Sequence, residues 1–419
     1  MRIAQISGSI AALLAATGAY ALAPTTATYD ISLVVSGSSA FEPNFKAEFA
    51  NICQAGTLDN YTASGSPAPG MSAYSCTTVP GAPLTDATIE NKNVIVYYRK
   101  EGGSAYGVAP IAKGIQIYRL LVDGSCVGAT PTWTCPVTGW NFAAETGSGN
   151  IVKATTELGV SDVEPAKFIG QSWPGGFFGA APTAAQLALI TNIKPIIGQV
   201  FAFYVNSGVA ASPLALNRSS VSAILQGLVS DWNSVPKADG SGFVSAASLP
   251  IKICNRDNGS GTRASAAFYA NNYLCGGPGL ATTGGLAVNA STGTELTCIS
   301  GNAGAIGYAT YQGASNPAGT SLVTLNGLTP SVINAATGQY EFWYEATFNN
   351  GAALTGLDAN LANALTARVR AAANLPAANT NGLALADFNT PVTPVVDPIR
   401  AVAITTHNGS SCNQTVTVF

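Results

Sequence analysis

Two strand-to-helix corners carry the groups best suited to hold a small oxyanion. The first is Ser36-Gly37-Ser38-Ser39-Ala40-Phe41. Backbone N–H groups at a helix start lack intrahelical partners and carry partial positive charge, so they receive oxyanion oxygens without a cationic side chain. Gly37 permits close approach, Ser38 and Ser39 add hydroxyl donors, and the N–H groups of Ala40 and Phe41 open the helix. Alone, such a corner is more often an ordinary helix cap. The second is Arg256-Asp257-Asn258-Gly259-Ser260-Gly261-Thr262. Its guanidinium is a planar fork that matches two oxygens of a tetrahedral anion, and Ser260, Gly261 and Thr262 offer N–H groups and hydroxyls at the next helix start.

Asp162, after Leu158-Gly159-Val160-Ser161, is a carboxylate that suits an anion site only if the ligand keeps a proton. Phosphate near neutral pH carries at least one P–OH that can donate to Asp162, whereas fully ionised sulfate has none and would be repelled. Read alone, Asp162 is first of all a helix cap.

Other chemistries find little support. His407 is the only histidine, lies in a Gly/Ser/Asn stretch and reads as a solvated surface residue. No H-E-x-x-H, C-x-x-C or Walker A motif occurs. Asp and Glu are too scattered for a paired-carboxylate hydrolase. Trp173, Phe177, Phe178 and Trp343 read as core or interface packing. Charged residues are only 9% of the 419 and the formal net charge is -3, which excludes a nucleic-acid binder and any global field that would draw an anion. An anion site must therefore be local. No cofactor is implied.

The elements that must position these residues alternate between strand and helix, an α/β pattern. Strands are expected at Tyr29 to Val35, Val94 to Tyr98, Val200 to Val205, Pro250 to Cys254 and Ala305 to Tyr308. Helices are expected at Phe41 to Ala50, Ser219 to Leu228 and Ala264 to Leu274; residues 55–90 read as polar and turn-rich. The start has Arg2, an apolar run from Ile10 to Ala16 and small residues, which predicts a secretory signal over residues 1–21; cleavage after Ala23 is the less favoured alternative because Pro24 would follow. No other stretch approaches about 18 clean apolar residues, so stable membrane insertion is not expected. Eight cysteines in an exported chain predict disulfides. Cys126 with Cys135 is the best pair and Cys53 with Cys76 is plausible; Cys254, Cys275, Cys298 and Cys412 are left open among three arrangements.

On these motifs the chain resembles the phosphate-binding proteins of bacterial phosphate ABC importers, members of the two-lobed periplasmic-binding-protein class. The family's Arg-x-x-Gly-Ser-Gly-Thr motif matches Arg256 to Thr262, and its Gly-Ala-Ser-Asp-like motif matches Gly159 to Asp162. Its first phosphate loop resembles Gly37 to Phe41, its Gly-Ser turn Gly103-Ser104, and its Gly-Ala-Ile-Gly-Tyr strand Gly304 to Tyr308. Leu216 to Asn233 and Asn326 to Tyr340 are also similar. Ala40 stands where the family usually has Ser or Thr; residues 105–158 are longer than the family pattern, and the stretch after Asn350 has no match.

The resemblance implies a type 2 α/β fold with lobe one at residues 22–199 plus 315–419, an insertion at about 105–158, and lobe two at 200–314. It implies a cleft ligand of inorganic phosphate or a related oxoanion held by Ser38, Ser39, Ala40, Phe41, Ser104, Asp162, Arg256, Ser260, Gly261 and Thr262. It further implies a non-catalytic, monomeric, periplasmic or extracellular protein, with an ABC permease as partner. The alternative is a secreted surface or matrix protein that keeps the fold with little ligand function.

Overall fold

The computed structural model describes residues 28–210, 213–281, 288–313, 316–371 and 405–417, together with 24, 286, 382–383 and 385. The expected signal segment and its cleavage positions lie outside the described residues.

The chain opens with β1 (Ile31–Gly37), α1 (Glu42–Asn51), β2 (Asp59–Ser64), β3 (Met71–Thr77), β4 (Asn93–Arg99), β5 (Thr132–Asn141) and β6 (Leu158–Ser161). Next come β7 (Asn192–Asn206), β8 (Leu214–Leu216), α2 (Arg218–Leu225), α3 (Gly261–Asn271), α4 (Thr292–Gly301), β9 (Ala305–Thr310) and β10 (Thr320–Leu325). The chain then returns through β11 (Trp343–Asn350) and α5 (Gly356–Arg370). The fold is α/β and two-lobed.

β1 lies parallel to both β4 and β6, and its inner positions are buried on both faces, in keeping with the unbroken apolar run Leu33-Val34-Val35. On one side the ladder continues from β4 through β3, β2 and β5; on the other it runs from β6 to β11 and β7. β7 is the strand shared by the two lobes. Its 15 residues extend about 50 Å at roughly 3.3 Å per residue. Residues 192–200 pair with β11, whereas Phe201–Val205 pair with β9 and Tyr204–Asn206 with β10. The register shifts between Pro195 and Ile197, where proline has no N–H to give the ladder.

Several elements differ from expectation. Residues 55–90, expected as turns, contain β2 and β3, because their Ser, Thr and Asn side chains sit on a sheet whose apolar support comes from elsewhere in the chain. The strand expected at Val200 to Val205 is the far end of β7; Asn192, Lys194 and Pro195 conceal its first half. The segment 250–254 supplies only two strand residues, Lys252 and Ile253. His407 is buried, 6% exposed, instead of solvated, with its ring stacked 4.8 Å from Tyr344.

All four disulfides form: Cys53–Cys76, Cys126–Cys135, Cys254–Cys298 and Cys275–Cys412. The stretch 105–158 adds β5 to the open side of β2 and forms a small separate antiparallel pair from Ile117–Leu120 and Ile151–Ala154. Arg99 at the end of β4 anchors this addition. Its guanidinium donates to both carboxylate oxygens of Glu145, the Nη1 contact being 2.8 Å, and to Tyr118 O at 3.1 Å. The Tyr106 hydroxyl donates to the same carboxylate at 3.0 Å, and the Tyr106 ring lies 4.6 Å from the guanidinium carbon. Arg99 is 1% exposed and Glu145 3%.

Removing one partner of a buried ion pair strands the other charge, which costs about 3–5 kcal/mol. Glu145→Ala is therefore expected to lower unfolding free energy by about that amount in urea denaturation. The double replacement Arg99→Met with Glu145→Leu should lose less than Glu145→Ala alone.

Candidate functional site

The two strand-to-helix corners meet at the lobe boundary. β1 ends at Gly37, whose φ of +132° and close packing exclude a side chain: a Cβ there would lie 1.9 Å from Val160 O. That contact seats the corner on β6, and Ser38 N–H donates to Val160 O at 2.9 Å. Ser38 is fully buried. Its hydroxyl donates to Asp162 Oδ1, while its Oγ accepts the N–H groups of Ala40 and Phe41, both at 3.1 Å. The Tyr98 hydroxyl holds Ser38 O at 2.7 Å. The two N–H groups expected to face a ligand are thus turned onto the Ser38 hydroxyl. Ser39 is half-buried at the same corner.

Asp162 follows β6 and is 2% exposed. Its backbone N–H donates to Ser104 Oγ at 3.1 Å, and Ser104 itself is fully buried in the one-turn helix Gly103–Gly107. Burial raises the Asp162 pKa; hydrogen bonds from Ser38 and Ser104 and the charge of Arg256 act in the opposite direction.

The second corner comes from the other lobe. Ser260 caps α3, accepting the Arg263 N–H at 3.2 Å, and Gly261 begins the helix. A Cβ on Gly261 would stand 2.3 Å from Ser104 Oγ and 2.6 Å from Asp162 Oδ2, so only glycine lets α3 reach lobe one here. Thr262 is 1% exposed. Ala105 N–H closes the boundary by donating to Gly259 O at 2.9 Å.

Arg256 is 1% exposed. Nε donates to Asn289 O at 3.0 Å and Nη2 to Ala290 O at 3.3 Å, which fixes the plane of the fork. Nη1 has no hydrogen-bond partner among the described residues. A buried guanidinium nitrogen without an acceptor is costly, and an anion oxygen would satisfy it. Contacts thus join Ser38, Ala40, Phe41, Ser104, Asp162 and Gly261 at one boundary, and Asp162 feels the Arg256 charge.

Several supporting residues went unnoticed in the sequence. Arg263 Nη1 donates to Arg256 O at 2.7 Å. Glu295, fully buried on α4, accepts from Asn289 Nδ2 at 2.9 Å and from Tyr308 N–H at 3.3 Å. Its pKa is pushed from 4.5 to about 7 by burial, against the attraction of Arg256. Asp257 is pushed from 3.8 to about 6 by the same cause. Arg256 therefore sits among three acids, Asp162, Asp257 and Glu295, all held toward neutrality. For Asp257 and Arg263 the only signal in sequence was proximity to the Arg motif, and Glu295 lies too far along the chain to show even that.

Among the described residues no group of three or more His, Cys, Asp or Glu could hold a metal ion. No helix among them is long and apolar enough to cross a membrane.

A folded pKa above the unfolded one means the folded state binds more protons between the two values, so stability falls as pH rises through that window. For Glu295 the window is 4.5 to about 7. The melting temperature is expected to be higher near pH 5 than near pH 7.5, and Glu295→Gln should flatten that slope. A wild-type slope in the variant would remove Glu295 as a source.

No protein-family model matches the chain. The phosphate-binding protein PstS of Bacillus subtilis (strain 168) is 27% identical over 171 residues, 41% of this chain. The chain spans about half the length of that curated relative, 50%. Solved structures similar to it include a candidate phosphate ABC transporter substrate-binding protein with bound phosphate from Clostridium perfringens (TM-score 0.48, 13% identity, 82% of this chain and 95% of that one). Another is an ABC-type phosphate transport receptor from Vibrio cholerae (TM-score 0.42, 14% identity, 80% and 93%). In sequence, the chain is similar to the phosphate-binding proteins of bacterial phosphate importers.

Proposed function

We propose that the chain captures inorganic phosphate, or a close oxoanion analogue, at the boundary between its lobes and acts as a binding protein, not an enzyme. The carrying observation is the pairing of a buried Arg256 Nη1 lacking an acceptor with a buried Asp162 whose ionisation is disfavoured. The first offers a charged donor to an anion oxygen. The second suits a ligand that still carries a hydrogen. Ser38 and Ser104 bond to Asp162, and in this reading Ser39, Ser260 and Thr262 add hydroxyls, and Ala40, Phe41 and Gly261 add backbone N–H groups, to the anion's surroundings.

In this reading Ser38 and Asp162, both of lobe one, hold one another until an anion enters between the parted lobes and takes the place of Asp162 at the Ser38 hydroxyl. The anion then takes the Ser38 hydroxyl and the corner N–H groups from one lobe and Arg256 from the other, and closure completes the set. Each charge-assisted bond contributes roughly 1.5–3 kcal/mol, so about five allow micromolar affinity or tighter after the cost of association. Four disulfides suit an oxidising compartment, which supports a periplasmic or extracellular site of action. Delivery to an ABC permease, by a monomer whose lobes meet at β7 and β11, completes the proposal.

Titration calorimetry with phosphate, arsenate and sulfate tests it. Phosphate is expected to bind at micromolar concentration or below, about -8 kcal/mol, with sulfate rejected. Arg256→Met should abolish binding with the circular dichroism spectrum retained, and Asp162→Asn should relax the rejection of sulfate. Silence toward all three anions in the wild-type protein would refute the proposal and favour a surface or matrix role. Gly261→Ala should weaken phosphate binding at least about tenfold, since its methyl group displaces Asp162 and Ser104.

A further inference from the structure

We infer that residues 405–417 are a strap that restrains separation of the two lobes, fastened to lobe two by the Cys275–Cys412 disulfide. The inference uses the two-lobed fold and touches the proposed ligand only through its rate of exchange.

Three of the four disulfides stay within one part of the fold. Cys53–Cys76 joins the end of α1 to β3, Cys126–Cys135 lies inside the added segment, and Cys254–Cys298 joins the lobe-two strand end to α4. Cys275–Cys412 is different. It spans 137 residues and ties the loop after α3 to a segment whose other contacts lie on lobe one and the crossing strands.

Those contacts are specific. Glu345 of β11 accepts the Thr406 hydroxyl and, at 3.1 Å, the His407 N–H. The two nitrogens of the His407 ring lie 3.0 Å from Trp343 O and 2.9 Å from Asn413 O, and the protonated one donates to its neighbour. Glu164, three residues beyond β6, accepts the Ser411 N–H at 2.9 Å and the hydroxyls of Ser410 and Ser411. Lys167 Nζ lies 2.8 Å from Cys412 Sγ. A short chain thus runs from β11 past the loop after β6 and ends covalently on lobe two.

The fastening point adjoins a second inter-lobe clasp. The Tyr273 hydroxyl accepts the Gln171 N–H at 2.7 Å. The Gln171 amide reads both backbone groups of Leu280, accepting its N–H at 2.9 Å and donating to its carbonyl at 3.2 Å. Tyr273 and Leu280 flank Cys275 in one loop. Parting the lobes at Ala105–Gly259 therefore has to break the Gln171 clasp and either stretch the strap or strip it from Glu164 and Glu345. The bond that cannot dissociate is the disulfide, and it keeps the rest of the strap at high effective concentration beside its partners.

Hydrogen exchange read by mass spectrometry on the ligand-free, full chain tests this. In Cys275→Ser/Cys412→Ser, the amides of Ala105 and Leu280 are expected to exchange at least about tenfold faster, while those of β1 and β4 keep their rates. Cys53→Ser/Cys76→Ser is the control and should not loosen those two amides selectively. Glu164→Ala leaves every covalent bond intact and should move Ala105 and Leu280 the same way by a smaller factor, which covers failure of the disulfide variant to fold. Wild-type exchange at both amides in the strap variants would overturn the inference. If phosphate binds, its dissociation should quicken in step; if it does not, the exchange readout still stands, so failure of the strap and of the proposed ligand are separable.

Discussion

The arrangement depends on a buried guanidinium that the protein only partly satisfies. Arg256 gives two nitrogens to backbone carbonyls and leaves the third without an acceptor, 1% exposed, at the boundary of the lobes. Neutralising it with a nearby carboxylate would be the simple way to reduce the cost of burial. The fold instead surrounds it with Asp162, Asp257 and Glu295 while desolvating all three, so that each resists ionisation. A positive charge is thereby kept available in a place with little water, where a small anion gains most from meeting it.

Holding that charge requires geometry from distant parts of the chain. Lobe one can bring Asp162 and Ser104 to the helix start of α3 only because Gly261 lacks a side chain, and Ser38 reaches Asp162 only because Gly37 lets β1 pack against the Val160 carbonyl. The lobes share β7 and β11, which pair on both sides of the register shift between Pro195 and Ile197. Relative motion is thus expected to be a bend of two paired strands. Arg99 is a structural counterpart to Arg256: it too is buried, with Nε lacking a partner, but both of its Nη nitrogens are taken by Glu145 and Tyr118 O, which fixes the added segment to lobe one beside Ser104.

The parts legible in sequence were those with local signals. The Arg256 to Thr262 corner, Ser38, Asp162 and the alternation of strand and helix were readable because glycine, hydroxyl and guanidinium chemistry is written within a few residues. So was the Cys126–Cys135 pair. The long-range features were not. β2 and β3 are too polar to announce themselves, the first half of β7 is disguised by Lys194 and Pro195, and the Cys275–Cys412 bond joins residues 137 apart. His407 shows the same limit. Its Gly/Ser/Asn neighbours suggested solvent, yet two carbonyls and the Tyr344 ring enclose it once the strap lies on β11.

A cleft of this kind has to reconcile two demands. The ligand must be surrounded by donors from both sides, which favours lobes in contact, and it must enter and leave, which requires them to part. The contacts here are short and direct on both sides: Ala105 to Gly259 near the site, and Gln171 to Tyr273 and Leu280 in the loop after α3. Ser38 already donates to Asp162 in this closed arrangement, so the corner does not need an anion to hold its shape. Closure that is prepared in advance reduces the ordering cost on binding and slows escape, so affinity is gained chiefly through dissociation. The disulfide strap acts in the same direction, because a covalent link across the boundary narrows the open ensemble without adding any contact to the ligand.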